Sequence, residues 1–428
     1  MQVLDYFKII TATPRCSFKT DKMKEKIVEI AKGLDYSVYC DKSGNILCQK
    51  GKPKVCLQSH YDMVCVGNFE NIELLEKDGI LKAKNSTLGA DNGMGMAIMF
   101  SCMEKFDNLE CLFTNDEEVG LIGATNLELE LSSDKLLNLD GEEACDIYVG
   151  CAGGIEVVSK FSLEYLPLRD DEVVYEVSIK DLPGGHSGVD IDKGIDSAIK
   201  VFAKELVKHD LKFLHIEGGE YRNSIPKSAK AIVATSKELK LSNSALHVKK
   251  IEYKREYIKD GEIVIKAIDA FAQGVRGFNK DFNTPATSVN LGVLREEESV
   301  LNIICSTRAM KNEDLIAVAD ETESFFQLIG CKTSQSGGHE PWVPDVGKFA
   351  NVVKKEMLKV YENASFRAIH AGLECGILIQ TQKKKIEAVA IGPTIRFPHS
   401  LREECDLSSV DKISLVVERI IDGIDEVS

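Results

Sequence analysis

The adjacent acids in Thr114-Asn115-Asp116-Glu117-Glu118-Val119-Gly120 have the residue types and the spacing for metal-assisted hydrolysis. Neighbouring side chains on an extended segment point to opposite sides, so one glutamate can hold a metal while the other stays free to carry protons. His60-Tyr61-Asp62 and Thr87-Leu88-Gly89-Ala90-Asp91-Asn92-Gly93 precede this pair, and Asn138-Leu139-Asp140-Gly141-Glu142-Glu143 follows it. His399, shortly after the apolar run 386–391, is a fifth candidate. Imidazole nitrogens and carboxylate oxygens in this number supply most of the donors that two divalent ions need. Each motif also has a bland reading: a polar turn for His60 and Asp62, a helix cap for Asp91, a solvated acidic turn for Glu117 and Glu118, a loop cap for Asp140, and a surface loop for His399. Their recurrence at compatible positions outweighs these readings taken one by one.

The elements that must position these residues can be read from periodicity. The run 55–58 leads directly to His60, and Leu112-Phe113-Thr114 leads to the paired glutamates. Both motifs therefore belong at the carboxyl ends of strands, the edge where ligand sites of open α/β sheets collect. Apolar residues at Met23, Ile27, Ile30 and Leu34 predict an amphipathic helix over 22–34 opening the chain. β-Rich runs at 36–40 and 45–49, an apolar helix over 94–106 and a strand over 109–113 make the first part an α/β layer structure. Beyond about residue 166 the pattern changes. Val173, Tyr175, Val177 and Ile179 alternate, helices are expected over 195–207 and 315–329, and strands over 231–235 and 263–265. Two helices among alternating strands predict a β-α-β-β-α-β, ferredoxin-like α+β unit. Because α/β features resume at 386–391 and in the helical set Val410, Ile413, Val417 and Ile420, that unit is inserted. The expected organisation is a catalytic α/β domain, a mixed sheet flanked by helices, from 1–165 and 341–428, with an inserted lid over 166–340.

Composition narrows the function classes. The chain has 428 residues, 44% hydrophobic and 28% charged, which is ordinary for a globular protein with ample core. A formal net charge of −15 disfavours nucleic acid, whose binding depends on Lys and Arg contacts to phosphate, and favours a small or cationic substrate. There is no apolar run of about 18 residues, the length that suggests a membrane span. The N-terminus lacks a charged-then-apolar signal pattern, and the thirteen cysteines are scattered without CxxC. Reduced thiols in a cytoplasmic protein, serving as small buried hydrophobes, are expected. A thiol-based redox or metal-storage role finds no paired spacing to support it.

The ordered set His60-x-Asp62, Gly89-Ala90-Asp91-Asn92-Gly93, Asp116-Glu117-Glu118-x-Gly120, Asn138-Leu139-Asp140 and His399-Ser400 resembles the dinuclear zinc peptidases of the aminoacylase, carnosinase and carboxypeptidase type. Closer matches are Leu57-Gln58-Ser59-His60-Tyr61-Asp62-Met63-Val64, Gly184-Gly185-His186-Ser187-Gly188, Arg222-Asn223-Ser224-Ile225-Pro226 and His370-Ala371-Gly372-Leu373-Glu374-Cys375-Gly376, which resemble the aminoacyl-histidine dipeptidase branch over nearly the whole chain. The departures are Ser59 in place of the usual Gly, and Ser400-Leu401-Arg402 in place of Ser-Pro. The resemblance implies two Zn²⁺ per subunit, with Mn²⁺ or Co²⁺ as substitutes. Asp91 would bridge them, His60 and Asp140 would complete one site, and Glu118 and His399 the other. It further implies a cis peptide at Asp91-Asn92, Asp62 orienting His60, and Glu117 as the base that takes a proton from water and passes it to the leaving amine. His186 from the lid would stabilise the oxyanion, and Asn223 and Arg308 would take the substrate carboxylate. Glu374 would take the substrate amine. A buried turn histidine, a solvated strand-end arginine and a structural role for His370 stay open beside these roles. The implied activity is hydrolysis of short peptides, foremost Xaa-His dipeptides, with a tripeptidase or an N-acyl-amino-acid amidohydrolase as the alternative. The implied assembly is a homodimer through the lid.

Overall fold

The computed structural model describes residues 1–424, and the chain forms two compact units. The first contains Met1–Gly150, Pro344–Ala368 and the chain from Leu373 onward; the second contains Cys151–Val343 and Ile369–Gly372.

The first unit is built on an eight-stranded sheet in the order Ser37–Cys40, Ile46–Lys50, Leu109–Thr114, Cys56–His60, Lys135–Asn138, Glu387–Ala390, Asp146–Cys151, Ser365–Ile369. The four central strands run parallel, with antiparallel strands on either side. Strands buried on both faces read as continuous apolar runs rather than alternating ones. Cys56–His60 and Leu109–Thr114 are indeed buried at every position. Helix Ala90–Lys105, running from Gly89 into Met-Gly-Met-Ala-Ile-Met-Phe, is buried over nearly its whole length against this sheet, and Val3–Thr11 packs on it. The rings of Phe100 and Phe113 stack at 5.3 Å between that helix and the sheet. Both rings are fully buried, so truncating Phe100 to Ala should cost about 3–5 kcal/mol. The C-terminal helix Leu407–Gly423 starts at Asp406, whose side chain accepts from the N–H groups of Ser408 and Ser409. A four-stranded sheet, Ile395–Arg396, Glu404–Asp406, Ile80–Ala83 and Leu74–Lys77, holds the loop that carries His399.

The predicted opening helix is Asp21–Gly33, but it is the second one. Val3–Thr11 comes first, with Val3, Tyr6, Phe7 and Ile10 buried, a stripe only nine residues long that periodicity alone passes over.

The second unit carries a nine-stranded antiparallel sheet and the helices Ala198–Leu206, Gly261–Ala270 and Asn312–Gln327. It is larger than the β-α-β-β-α-β unit expected. The run 263–265 is helical, not a strand: its β-branched residues suggested β, yet Val264, Ile265 and Ile268 fall on the buried face of Gly261–Ala270. The boundary also lies earlier than 166. Gly153–Ser162 pairs with Val300–Ala309 and Lys332–His339, so it belongs to the second sheet. Such partners lie more than a hundred residues away, and local pattern does not reveal them. Ile369–Gly372 returns to this unit, where the Ala152 N–H donates to the Ile369 carbonyl at 2.9 Å. Phe202, Phe213, Phe271 and Phe326 anchor the unit's own core.

Candidate dinuclear metal centre

Each ligand candidate of the first unit projects from a strand end or from the loop behind it. His60 is the last residue of Cys56–His60, Glu117 and Glu118 follow Leu109–Thr114, Asp140 follows Lys135–Asn138, and Asp91 opens Ala90–Lys105. His399 sits in the left-handed region at φ 58°, in the turn between Ile395–Arg396 and Glu404–Asp406.

The five side chains converge. His60 Nε2 lies 3.0 Å from Asp91 Oδ1 and 3.3 Å from Asp140 Oδ1. His399 Nε2 lies 2.9 Å from Asp91 Oδ2 and 2.9 Å from Glu118 Oε2. Asp91 thus turns one oxygen toward each histidine. The sets His60-Asp91-Asp140 and Asp91-Glu118-His399 each bring their ligand atoms within 4.8 Å of one another, as does His60-Glu117-Glu118. The Asp91-Asn92 peptide is cis.

The electrostatics are those of a cage for cations. Burial would lower the His60 pKa, but Asp140, Asp62 and Asp91 raise it well above the imidazole range. Burial also works against protonated His399, and Asp91 and Glu118 overcome it, pushing its pKa up to about 12. Asp91 is held ionised against burial by the two histidines. Glu117 is pushed well above the carboxylate range, by burial first and then by Glu118, Asp140 and Glu374. Burial also raises Glu118 and Asp140, both beside Asp91. Without a metal, protons on the two imidazoles and on the raised acids offset the charge of this cluster, and a divalent cation at the same groups would displace them. Glu118 Oε1 is buried without a hydrogen-bond partner. The donors are nitrogen and carboxylate oxygen without thiolate, a set that suits Zn²⁺, Mn²⁺ or Co²⁺.

Asp62 does more than expected. It is fully buried, with Oδ1 3.5 Å from His60 Nδ1. It also accepts from the N–H of Glu117 at 2.9 Å, the N–H of Glu118 at 3.3 Å and Ser17 Oγ at 2.7 Å. One carboxylate therefore faces the His60 ring and fixes the turn of the two glutamates. Beneath the strand ends, Asn138 Nδ2 donates to Gln58 Oε1 at 2.6 Å, and Gln58 Nε2 donates to Glu374 Oε2 at 2.6 Å. Thr114 Oγ1 donates to the same Glu374 oxygen at 2.7 Å. Glu374 is fully buried, its Oε1 has no hydrogen-bond partner, and burial raises its pKa to about 7.

The remaining predicted residues belong to the second unit. His186 lies in the short strand Gly185–His186; its N–H donates to Asp190 Oδ2 at 2.7 Å, and its Nδ1 accepts from the Gly188 N–H at 3.2 Å. Asn223 is exposed, and its carbonyl accepts from the Ser187 N–H at 2.8 Å. Arg308 is buried, burial lowers its pKa to about 10, and its Nε has no hydrogen-bond partner. His370 hydrogen-bonds Ser288 Oγ through Nε2 at 2.7 Å, and burial followed by the charge of Arg308 lowers its pKa to about 3.

The expectation of reduced thiols throughout does not hold. Cys16 and Cys65 form a disulfide with Cα atoms 5.5 Å apart, joining segments 49 residues apart in sequence. Nine of the other eleven cysteines are buried, as small hydrophobes should be. Sequence reasoning also missed Arg15 and Glu403, buried charges beside the ligand loops. Their only signals were the prolyl-arginine of Thr13-Pro14-Arg15 and the paired acids four residues beyond His399.

A parallel-centred sheet with two three-residue groups that could each hold a metal ion, sharing one aspartate, is the arrangement of a dinuclear metallopeptidase. The chain is 31% identical to the cytosol non-specific dipeptidase of Escherichia coli, over 95% of its own length and 94% of that protein's. Among solved structures it is similar to the aminoacylhistidine dipeptidase of Vibrio alginolyticus, with TM-score 0.78, 28% identity and coverage of 97% and 96% of the two chains. A tripeptidase of Staphylococcus aureus shares the fold at TM-score 0.60 and 16% identity, covering 99% and 98%. No family model matches the sequence. The chain belongs to the family of the cytosol non-specific dipeptidase, and it hydrolyses short peptides in a metal-dependent reaction. Among the described residues, no helix is long and apolar enough to cross a membrane.

Proposed function

We propose that the protein is a cytoplasmic di-zinc dipeptidase with a preference for Xaa-His substrates. The observation that carries this reading is the split of the Asp91 carboxylate, 3.0 Å from His60 and 2.9 Å from His399, which gives two ligand groups one residue in common. The name of the Vibrio relative supports histidine at the second substrate position. His60, Asp91 and Asp140 would hold one Zn²⁺, and Asp91, Glu118 and His399 the other. The bound ions would supply the Lewis acidity that acidifies a water and polarises the scissile carbonyl.

The chain's own groups do the rest. Glu117, whose pKa is pushed up by burial and by the neighbouring acids Glu118, Asp140 and Glu374, accepts the proton of the attacking water and delivers it to the leaving amine. Asp62 orients the His60 ring and, by accepting from the N–H groups of 117 and 118, fixes the turn that carries Glu117 and Glu118. His186 stabilises the developing oxyanion. Arg308 receives the substrate carboxylate with Asn223, and its unpartnered Nε supports that role. Glu374 receives the substrate amine, supported by its unpartnered buried oxygen. The second unit would act as a lid and as the surface of a homodimer.

The test is hydrolysis of Ala-His, carnosine, Gly-Gly-Gly and N-acetyl-Met by metal-stripped protein reconstituted with Zn²⁺ or Mn²⁺. Cleavage of the histidine dipeptides is expected. Turnover of only the tripeptide or only the acylated amino acid would overturn the substrate assignment and leave the dinuclear centre standing.

A further inference from the structure

Asp91 is held from two sides by buried charges that do not touch its carboxylate. On one side Glu403, 3% exposed, accepts from four successive backbone N–H groups: Leu88 at 2.8 Å and Gly89 at 3.0 Å through Oε2, Ala90 at 2.8 Å and Asp91 at 3.3 Å through Oε1. These lead into the first turn of helix Ala90–Lys105, where N–H groups lack helical partners and negative charge is favoured. On the other side Arg15, 1% exposed, donates through Nη1 to the carbonyls of Tyr61 at 3.1 Å and Asp62 at 2.6 Å, and through Nη2 to the carbonyl of Gly89.

The glycines of the motif fit this arrangement. A Cβ at Gly89 would stand 2.8 Å from Arg15 Nη2, and one at Gly93 would stand 2.7 Å from the same atom. Gly89 also lies at φ 68°, which favours glycine. The guanidinium thus fills the space that two missing side chains leave.

We propose that Arg15 and Glu403 are positioning residues, each tying the shared ligand Asp91 to the loop that bears one of the two histidines. Arg15 joins the 89 carbonyl to the carbonyls directly after His60. Glu403 lies four residues after His399, and its N–H donates to the Ser400 carbonyl, so it joins the His399 turn to the 88–91 turn. Both charges bond backbone rather than ligand carboxylates. A guanidinium forked onto Asp91 would occupy the oxygens that face His60 and His399; one that bonds carbonyls lends its charge to Asp62, Asp91 and Glu118 and leaves those oxygens free. The inference rests on the ligand set proposed above and assigns each clamp to one half of it.

The experiment is titration of metal-stripped protein with Co²⁺, followed by its visible absorption and by calorimetry, on wild type, Arg15→Lys and Glu403→Gln, with Val417→Ala as a core control and thermal unfolding recorded for each metal-free protein. Wild type should bind two Co²⁺. Arg15→Lys should weaken binding at the His60 half, and Glu403→Gln at the His399 half, each about 10- to 100-fold with an altered absorption band for one ion. The two sites are told apart with His399→Ala, which empties its own half. Two ions bound with wild-type affinity and spectrum in both clamp variants, with only a lowered Tm as in Val417→Ala, would overturn the inference. Failure of wild type to bind two ions would instead remove the ligand set beneath it.

Discussion

Glu117 and Glu118 are neighbours in the chain with opposite proposed tasks, and substitution should separate them. Glu117→Gln should keep both metals, because His60, Asp91, Asp140, Glu118 and His399 are untouched, while kcat falls about 10²- to 10⁴-fold through loss of the proton carrier. His399→Ala should lose metal from its own half as well as activity. Metal analysis beside single-turnover rates checks this, and equal metal loss in both variants would sink the base assignment. Protonation gives a second expectation. Neighbouring carboxylates raise the pKa of His60 well above the usual range and that of His399 to about 12, so the metal-free protein should hold both as imidazolium at neutral pH. Metal requires neutral imidazole, so loading should release protons at neutral pH and apparent affinity should rise with pH. Calorimetry of Zn²⁺ binding in buffers of different ionisation enthalpy counts those protons; none released at pH 7 would contradict the direction of both shifts.

At the scale of elements, the strand ends were legible and their supports were not. His60 and the paired glutamates follow apolar runs short enough to be single strands, so their placement at one sheet edge came from pattern alone. Arg15 follows a proline after the first helix and Glu403 sits in a charged turn, so nothing in their surroundings marks them as buried. Only the tertiary fold turns them inward. The division of the chain at Gly150 was hidden for a similar reason: Gly153–Ser162 reads as a strand of either unit, and its register with Val300–Ala309 decides. The Cys16–Cys65 disulfide is another long-range fact, and it staples the segment of Arg15 and Ser17 to the segment of Asp62. Closing a loop of this length should stabilise the fold by about 2–4 kcal/mol relative to the reduced chain. A Cys16→Ser, Cys65→Ser variant should therefore unfold at lower denaturant than the oxidised protein, and match wild type once that is treated with reductant. Helix Ala198–Leu206 carries a pH-dependent contact of its own. Glu205 accepts from the Ser242 N–H and from Lys208, which together overcome burial and lower its pKa to about 2. A depressed carboxylate stabilises the fold above its unfolded pKa of about 4.5 and loses that contribution as pH falls toward 2. Glu205→Gln should flatten the acid side of the stability curve between those values, as urea unfolding at several pH values would show.

At the scale of the whole molecule, the metal-ligand candidates all fall in one unit, while each unit has a core of its own. All five metal-ligand candidates and Glu117 lie in the first unit, whereas the second has a separate core built around Phe202, Phe213, Phe271 and Phe326. A ligand that binds only the native state stabilises what it binds by RT ln(1 + [L]/Kd), about 4 kcal/mol at a thousandfold excess over Kd. That gain accrues to the unit that holds the ligands. Scanning calorimetry of metal-stripped and Zn²⁺-loaded protein should therefore show one transition moving up by several degrees and another staying in place. Phe326→Ala removes a fully buried ring from the second core and should cost about 3–5 kcal/mol there. In the same scans it should lower the transition that Zn²⁺ leaves unmoved, and the metal-dependent shift should persist. A single transition moved by both metal and Phe326→Ala would mean that the two units unfold as one cooperative body, and the stabilisation by metal would then reach the second core as well.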